Sequence, residues 1–125
     1  MGLNSLFGGK SKTVSMPWKP LKTVAELDQL MADSTTRPQL LFKHSTRCSI
    51  SSMALARLEK EWNLEVKVDA WYLDLLAHKN VSNAVAKLLN VEHESPQAIL
   101  VVNGKAAHVD SHSGITVCNI AKAIA

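Results

Sequence analysis

The chain has 125 residues, with 46% hydrophobic and 20% charged, which fits one ordinary globular domain and excludes the low-hydrophobicity, high-charge class of disordered chains. The formal net charge of +3 and the pI near 9.0 invite a nucleic-acid reading. Four of the 14 basic residues, however, precede the first acidic residue, Glu26, leaving 10 basic against 11 acidic residues beyond them, so neither a phosphate-binding face nor a nucleic-acid partner is expected.

Residues 1–15, rich in Gly, Ser and Lys, read as a flexible tail ahead of a single domain over 16–125. Met1 to Leu6 lack a charged secretory n-region, and Leu6 stands where a myristoylation signal would need Ser or Thr. No apolar run approaches the roughly 20 residues of a membrane span, so no membrane partner is expected. The expected compartment is the cytoplasm, where a structural disulfide is out of place.

Met16-Pro17-Trp18-Lys19-Pro20-Leu21 is proline-punctuated and extended, with Trp18 docking on the body. Thr23-Val24-Ala25-Glu26 has the spacing of a capping box and opens a helix with Val24, Leu27, Leu30 and Met31 on one face. Gln39 to His44 reads as a buried strand, Ser45-Thr46-Arg47 as a polar turn, and the chain turns helical from Ser49. Ile50, Met53, Ala54, Leu58 and Trp62 form the apolar stripe of that helix. Trp71 to Leu75 reads as a strand, and a helix from Ser82 carries Val85, Leu88 and Leu89. Pro96 marks the entry to a strand over Gln97–Val102. Asn103-Gly104 is a two-residue hairpin turn into Lys105–Asp110, and a helix closes the chain from Ile115. The order is α-β-α-β-α-β-β-α. It predicts an α/β fold with a small mixed four-stranded sheet covered by helices on both faces.

Two cysteines, Cys48 and Cys118, exclude a cysteine-only zinc site and a disulfide-dense scaffold. Cys48 falls where a strand hands over to a helix N-terminus, a placement that favours the thiolate, which is the nucleophile. No acidic residue lies between Asp33 and Glu59, and that window holds Arg37, Lys43, Arg47 and Arg57 around Cys48. Arg47, Lys43 and His44 are all expected to favour the ionised thiol. Cys48-Ser49-Ile50-Ser51 puts Ser51 where a C-x-x-C pair would carry its resolving thiol. A nucleophile without a local resolver stops at a mixed disulfide and needs a second thiol to release it. Cys118, in line with Ile115, Ala121 and Ile124, is expected to face the core. His108 and His112 have zinc-like spacing, but a strand end and turn do not present them as a helix-face pair, and no metal is assigned. His44 and His93 read as hydrogen-bonded structural residues, and Trp62, Trp71 and Tyr72 as core.

Phe42 to Ser51, with Pro17-Trp18-Lys19-Pro20-Leu21, His93-Glu94-Ser95-Pro96-Gln97, Ser111-His112 and Ile115-Thr116, resembles the monothiol bacilliredoxins, the bacilliredoxin C or YtxJ-type branch of the thioredoxin-like superfamily. The resemblance runs over about residues 16–125. Around the nucleophile the family reads T-C-P-I-S, and this chain departs from it at Arg47 and Ser49. The resemblance implies a thiol–disulfide oxidoreductase that removes a low-molecular-weight thiol of the bacillithiol type from S-thiolated client proteins. Cys48 would be the catalytic nucleophile. Arg47, Ser49, Ser51, Ser95, Pro96 and His112 would contact substrate, with Pro96 cis and facing the thiol. No bound cofactor is implied. The small thiol is a co-substrate, and a flavin-dependent disulfide reductase is the recycling partner. The alternative is a non-enzymatic module that binds an iron–sulfur cluster through Cys48 or docks another protein.

Overall fold

The computed structural model describes residues 16–124, so the expected flexible tail over 1–15 lies outside the described residues. In chain order the elements are β1 (Lys19–Pro20), α1 (Val24–Asp33), β2 (Gln39–His44), α2 (Ser49–Glu61), β3 (Asp69–Asp74), α3 (Lys79–Leu89), β4 (Gln97–Val102), β5 (Lys105–Ser111), a 3-10 turn (His112–Gly114) and α4 (Val117–Ile124). The expected alternation holds, with one strand more than the four read from the sequence. Lys19 and Pro20 pair in parallel with Trp71 and Tyr72, giving a five-stranded sheet in the order β1-β3-β2-β4-β5. Proline has no ladder donor, which confines this two-residue strand to the edge.

Local chemistry sets the boundaries. Thr23 caps α1 through the expected capping box: Glu26 N–H donates to Thr23 Oγ1 at 3.1 Å, and Thr23 N–H donates to Glu26 Oε1 at 3.0 Å. Asn103 and Gly104, at φ 52° and 72°, make the hairpin turn whose two positive φ values match the strand twist. Strand β3 starts two residues earlier than the sequence reading and α3 three earlier, while α4 starts two later, because the turn 112–114 takes up the residues before it.

β2 lies between parallel β3 and antiparallel β4, with helices over both faces, and all six of its residues are buried. Alternation sends Leu40 and Phe42 into a core shared with Ala54 and Leu58 of α2, Trp62 at its C-cap and Ile120 of α4. Leu41 turns to the opposite core, with Leu27 and Leu30 of α1 and Val81 and Val85 of α3. The α2 stripe differs from the expected one. Ser51, Ala54, Leu58 and Trp62 are buried, whereas Ile50 and Met53 are 53% and 65% exposed. Each of these two precedes a buried position by one residue, about 100° around the helix. Cys118 is also one residue off the inner face: it follows Val117, which holds that face of α4 with Ile120, and it is exposed rather than in the core.

Candidate active site at the end of the sheet

Strand register brings the distant segments together. Lys43 pairs with Gln97, and Gln97 pairs with Ser111. The residues just beyond, His44, Pro96 and His112, therefore line one end of the sheet, and the loop from His44 to Cys48 leaves from that end. The His112 backbone N–H donates to the Pro96 carbonyl at 3.2 Å, which continues the ladder past β5. The Ser95–Pro96 peptide is cis, as the resemblance implied.

Cys48 is the N-cap of α2. Its backbone is extended (φ −110°, ψ 120°), its N–H donates to Ser45 O at 3.1 Å, and its carbonyl accepts from Ser52 N–H at 3.0 Å. No side chain caps the helix, and the first turn holds no acidic residue. The thiol is free and half-buried, at the positive end of a 13-residue helix. Arg47 and Ser49 flank it and are exposed.

Ser51 is fully buried beneath this turn, not on its rim. Its Oγ accepts from Ser45 N–H at 3.0 Å and lies 2.7 Å from His44 Nδ1. The hydroxyl thus ties the last residue of β2 and the start of the loop to the first turn of α2. His44 is buried, and its ring packs on Phe42 and Tyr72 at 5.9 and 5.5 Å between centroids. Burial holds its pKa below 6.5 despite the opposing fields of Asp74 and Glu59, so His44 is neutral at pH 7 and adds no positive charge beside the thiol. Lys43 is likewise directed elsewhere. It is fully buried, donates to Ser82 O of α3 at 3.3 Å and lies 3.2 Å from His93 Nδ1. Of the cations expected around Cys48, Arg47 is the one next to it in the chain.

The family model for monothiol bacilliredoxin BrxC matches residues 19–120. The chain belongs to that family. Among solved structures, it superposes with a TM-score of 0.74 and 32% identity on a candidate oxidoreductase with a thioredoxin fold, over 85% of this chain and 92% of that one. A thioredoxin from Malassezia sympodialis matches with a TM-score of 0.69 at 13% identity, over 94% and 96% of the two chains. The thioredoxin of Fasciola hepatica matches at 0.65 and 19%, over 85% and 95%. These last two matches show the fold alone. Family and fold together put this bacilliredoxin in the thiol–disulfide oxidoreductase class.

The candidate site of this bacilliredoxin has a second wall. Pro96 is buried, and the half-buried Ser95 carries a hydroxyl with no hydrogen-bond partner. His112 is exposed in the left-handed region at φ 54°, with Nε2 3.7 Å from Glu94 Oε1. The sequence counts Arg57 among the cations of the acid-free window but gives it no partner. From the third turn of α2 it donates Nε to Ile115 O at 2.9 Å and Nη2 to His112 O at 3.2 Å. The helix that begins after Cys48 is thereby fastened to the turn that touches Pro96. Its place nine residues after Cys48, at the end of the acid-free window, was the available signal. His108 pairs with Asp110 at 2.8 Å on β5. Among the described residues, no helix is long and apolar enough to cross a membrane.

Proposed function

We propose that this bacilliredoxin removes a low-molecular-weight thiol from S-thiolated proteins by a one-cysteine cycle. The Cys48 thiolate attacks the small thiol's sulfur in the mixed disulfide. The S–S bond of the mixed disulfide breaks, the client leaves as its thiolate, and Cys48 is left disulfide-bonded to the small thiol. A second small-thiol thiolate then attacks that sulfur, leaving as the oxidised small-thiol dimer and restoring the Cys48 thiolate. Two electrons pass from the small-thiol pool to the client. A flavin-dependent disulfide reductase would return the oxidised dimer to the pool.

The observation that carries this reading is the state of Ser51. At the position where a two-cysteine enzyme keeps its resolving thiol, a hydroxyl is buried and engaged by His44 and Ser45. The half-buried Cys48 therefore has no partner thiol within its own turn, and release falls to a thiol from solution. Ser95, Pro96 and His112 would align the mixed disulfide along the second wall. The exposed Arg47 would meet a carboxylate of the small thiol; bacillithiol, with its malate group, is the proposed type. A reducing compartment such as the cytoplasm suits the cycle.

Intact mass spectrometry tests it. Wild type and Cys48→Ser are incubated with a client thiolated by bacillithiol, glutathione or cysteine. The expected result is release of the client thiol with a transient single adduct on Cys48, strongest for one small thiol and absent in Cys48→Ser. Full release by Cys48→Ser overturns the reading. Visible absorption from a bound cluster after anaerobic purification, with no release, favours the iron–sulfur alternative.

A further inference from the structure

At the end that carries the site, the two central strands place a polar pair where core residues would be expected. Lys43 of β2 and Gln97 of β4 are register partners, so their side chains project to the same face, and both are fully buried. Lys43 takes part in none of the ion pairs among the described residues. A buried ammonium without a carboxylate is expensive, and a leucine here would be free of that cost.

What the two side chains have in common is what they hold. Gln97 Nε2 donates to the Glu92 carbonyl at 2.9 Å. Lys43 Nζ reaches the ring of the next residue, His93, at 3.2 Å, and also the Ser82 carbonyl of α3 at 3.3 Å. An ammonium only donates, so His93 Nδ1 must be the acceptor and the ring neutral, with its proton on Nε2. Two buried groups thus grip consecutive residues of one short segment, and that segment runs straight into Ser95–Pro96. We propose that Lys43 is a positioning residue, pinning His93 to α3 and so fixing the Ser95–Pro96 wall at the height where a mixed disulfide on Cys48 lies. This rests on the Cys48 reading for its catalytic consequence, but not for its structural one.

The field around His93 agrees with the geometry. Burial and the Lys43 charge both hold its pKa below 6.5, against a smaller opposing pull from Glu94. Lys79, Asn83 and Leu75 complete the surroundings of the ring with Ser82.

The test uses wild type, Lys43→Met, His93→Leu and His93→Gln, the last retaining an oxygen that can accept from the ammonium. NMR order parameters of residues 92–95, measured without substrate, are expected to fall from about 0.85 to about 0.6 in Lys43→Met and His93→Leu and to stay high in His93→Gln. Turnover of a thiolated client should show KM raised about tenfold with kcat nearly unchanged in the first two variants, and recovery in His93→Gln. The rate of Cys48 alkylation should not change. Unaltered order parameters, or an unaltered KM in a wild type that turns over, overturn the proposal. If the wild type itself does not turn over, the oxidoreductase reading falls, and the order parameters still decide the positioning role. Should Lys43→Met fail to fold, His93→Leu, changed at a surface residue, carries the same two readouts.

Discussion

Ser51 Oγ lies 2.7 Å from Nδ1 of the buried His44 and accepts the Ser45 N–H at 3.0 Å, so one hydroxyl closes the floor beneath Cys48. Removing it leaves a buried imidazole nitrogen and a backbone N–H without partners. Ser51→Ala should cost about 1–3 kcal/mol, read as a lower urea midpoint at unchanged m-value. If the midpoint does not move, the hydroxyl is not the tie described.

The same imidazole makes the fold acid-sensitive. Burial keeps the folded His44 pKa below its ordinary 6.5, and His93 is lowered as well by burial and by Lys43. Below pH 6.5 the unfolded chain therefore binds more protons than the folded one. The stability due to neutral histidines is complete above 6.5 and is lost as pH falls through the lowered folded values. The urea midpoint should drop between about pH 7.5 and about pH 5, and His93→Gln should lessen the drop. A midpoint flat over that range, with the fold intact, would contradict these assignments.

Much of this was legible in the sequence where residue pattern and burial coincide. Continuous apolar runs bounded by Pro38 and Pro96 marked β2 and β4 to the residue, and Thr23 with Glu26 marked the start of α1. The misses are places where packing chose among neighbours. On α2, Ile50 and Met53 compete with Ser51 and Ala54 for the inner face, and hydropathy favours the wrong pair. The site hydroxyl is buried because His44 and Ser45 satisfy it, and those partners become visible only once β2 and α2 are docked. β1 has two residues, too few for any period. The charge count placed Lys43 and His44 beside the thiol because sequence distance carries no direction. Alternation along β2 sends Lys43 toward α3, and burial neutralises His44.

Arg57 closes the site from the side by donating to two carbonyls of the turn that bears His112. Arg57→Met removes both donors, with an expected loss of about 1–2 kcal/mol and a fall in Tm of about 5 °C. Lysine offers a single point of attachment in place of the fork and should recover less than half of the loss. Full recovery by lysine would mean that charge, not the paired geometry, matters here.

Cys118 is exposed on α4, outside the core stripe of Val117 and Ile120. Cys118→Ser should change stability by less than about 0.5 kcal/mol. Alkylation of the folded protein should add two groups to wild type and one to each of Cys48→Ser and Cys118→Ser. A Cys118 that resists alkylation until the chain unfolds would restore the buried placement expected from sequence.

Lys43 changes stability with pH in the same direction as the histidines, in a more alkaline window. Burial lowers its pKa from 10.5 to about 8, so the folded state has lost this proton over a range where the unfolded state still holds it. The penalty for the buried charge is complete below pH 8 and is relieved as pH rises toward 10.5. At about 1.4 kcal/mol per pKa unit the relief is at most about 3 kcal/mol, and water reaching the ammonium reduces it. The quantity to measure is the stability difference between wild type and Lys43→Met, in which contributions common to both chains cancel. It should shift in favour of wild type from pH 8 to pH 10. A difference independent of pH would mean that the Lys43 ammonium is as well solvated in the folded chain as in the unfolded one, and the buried grip on His93 described here would be wrong.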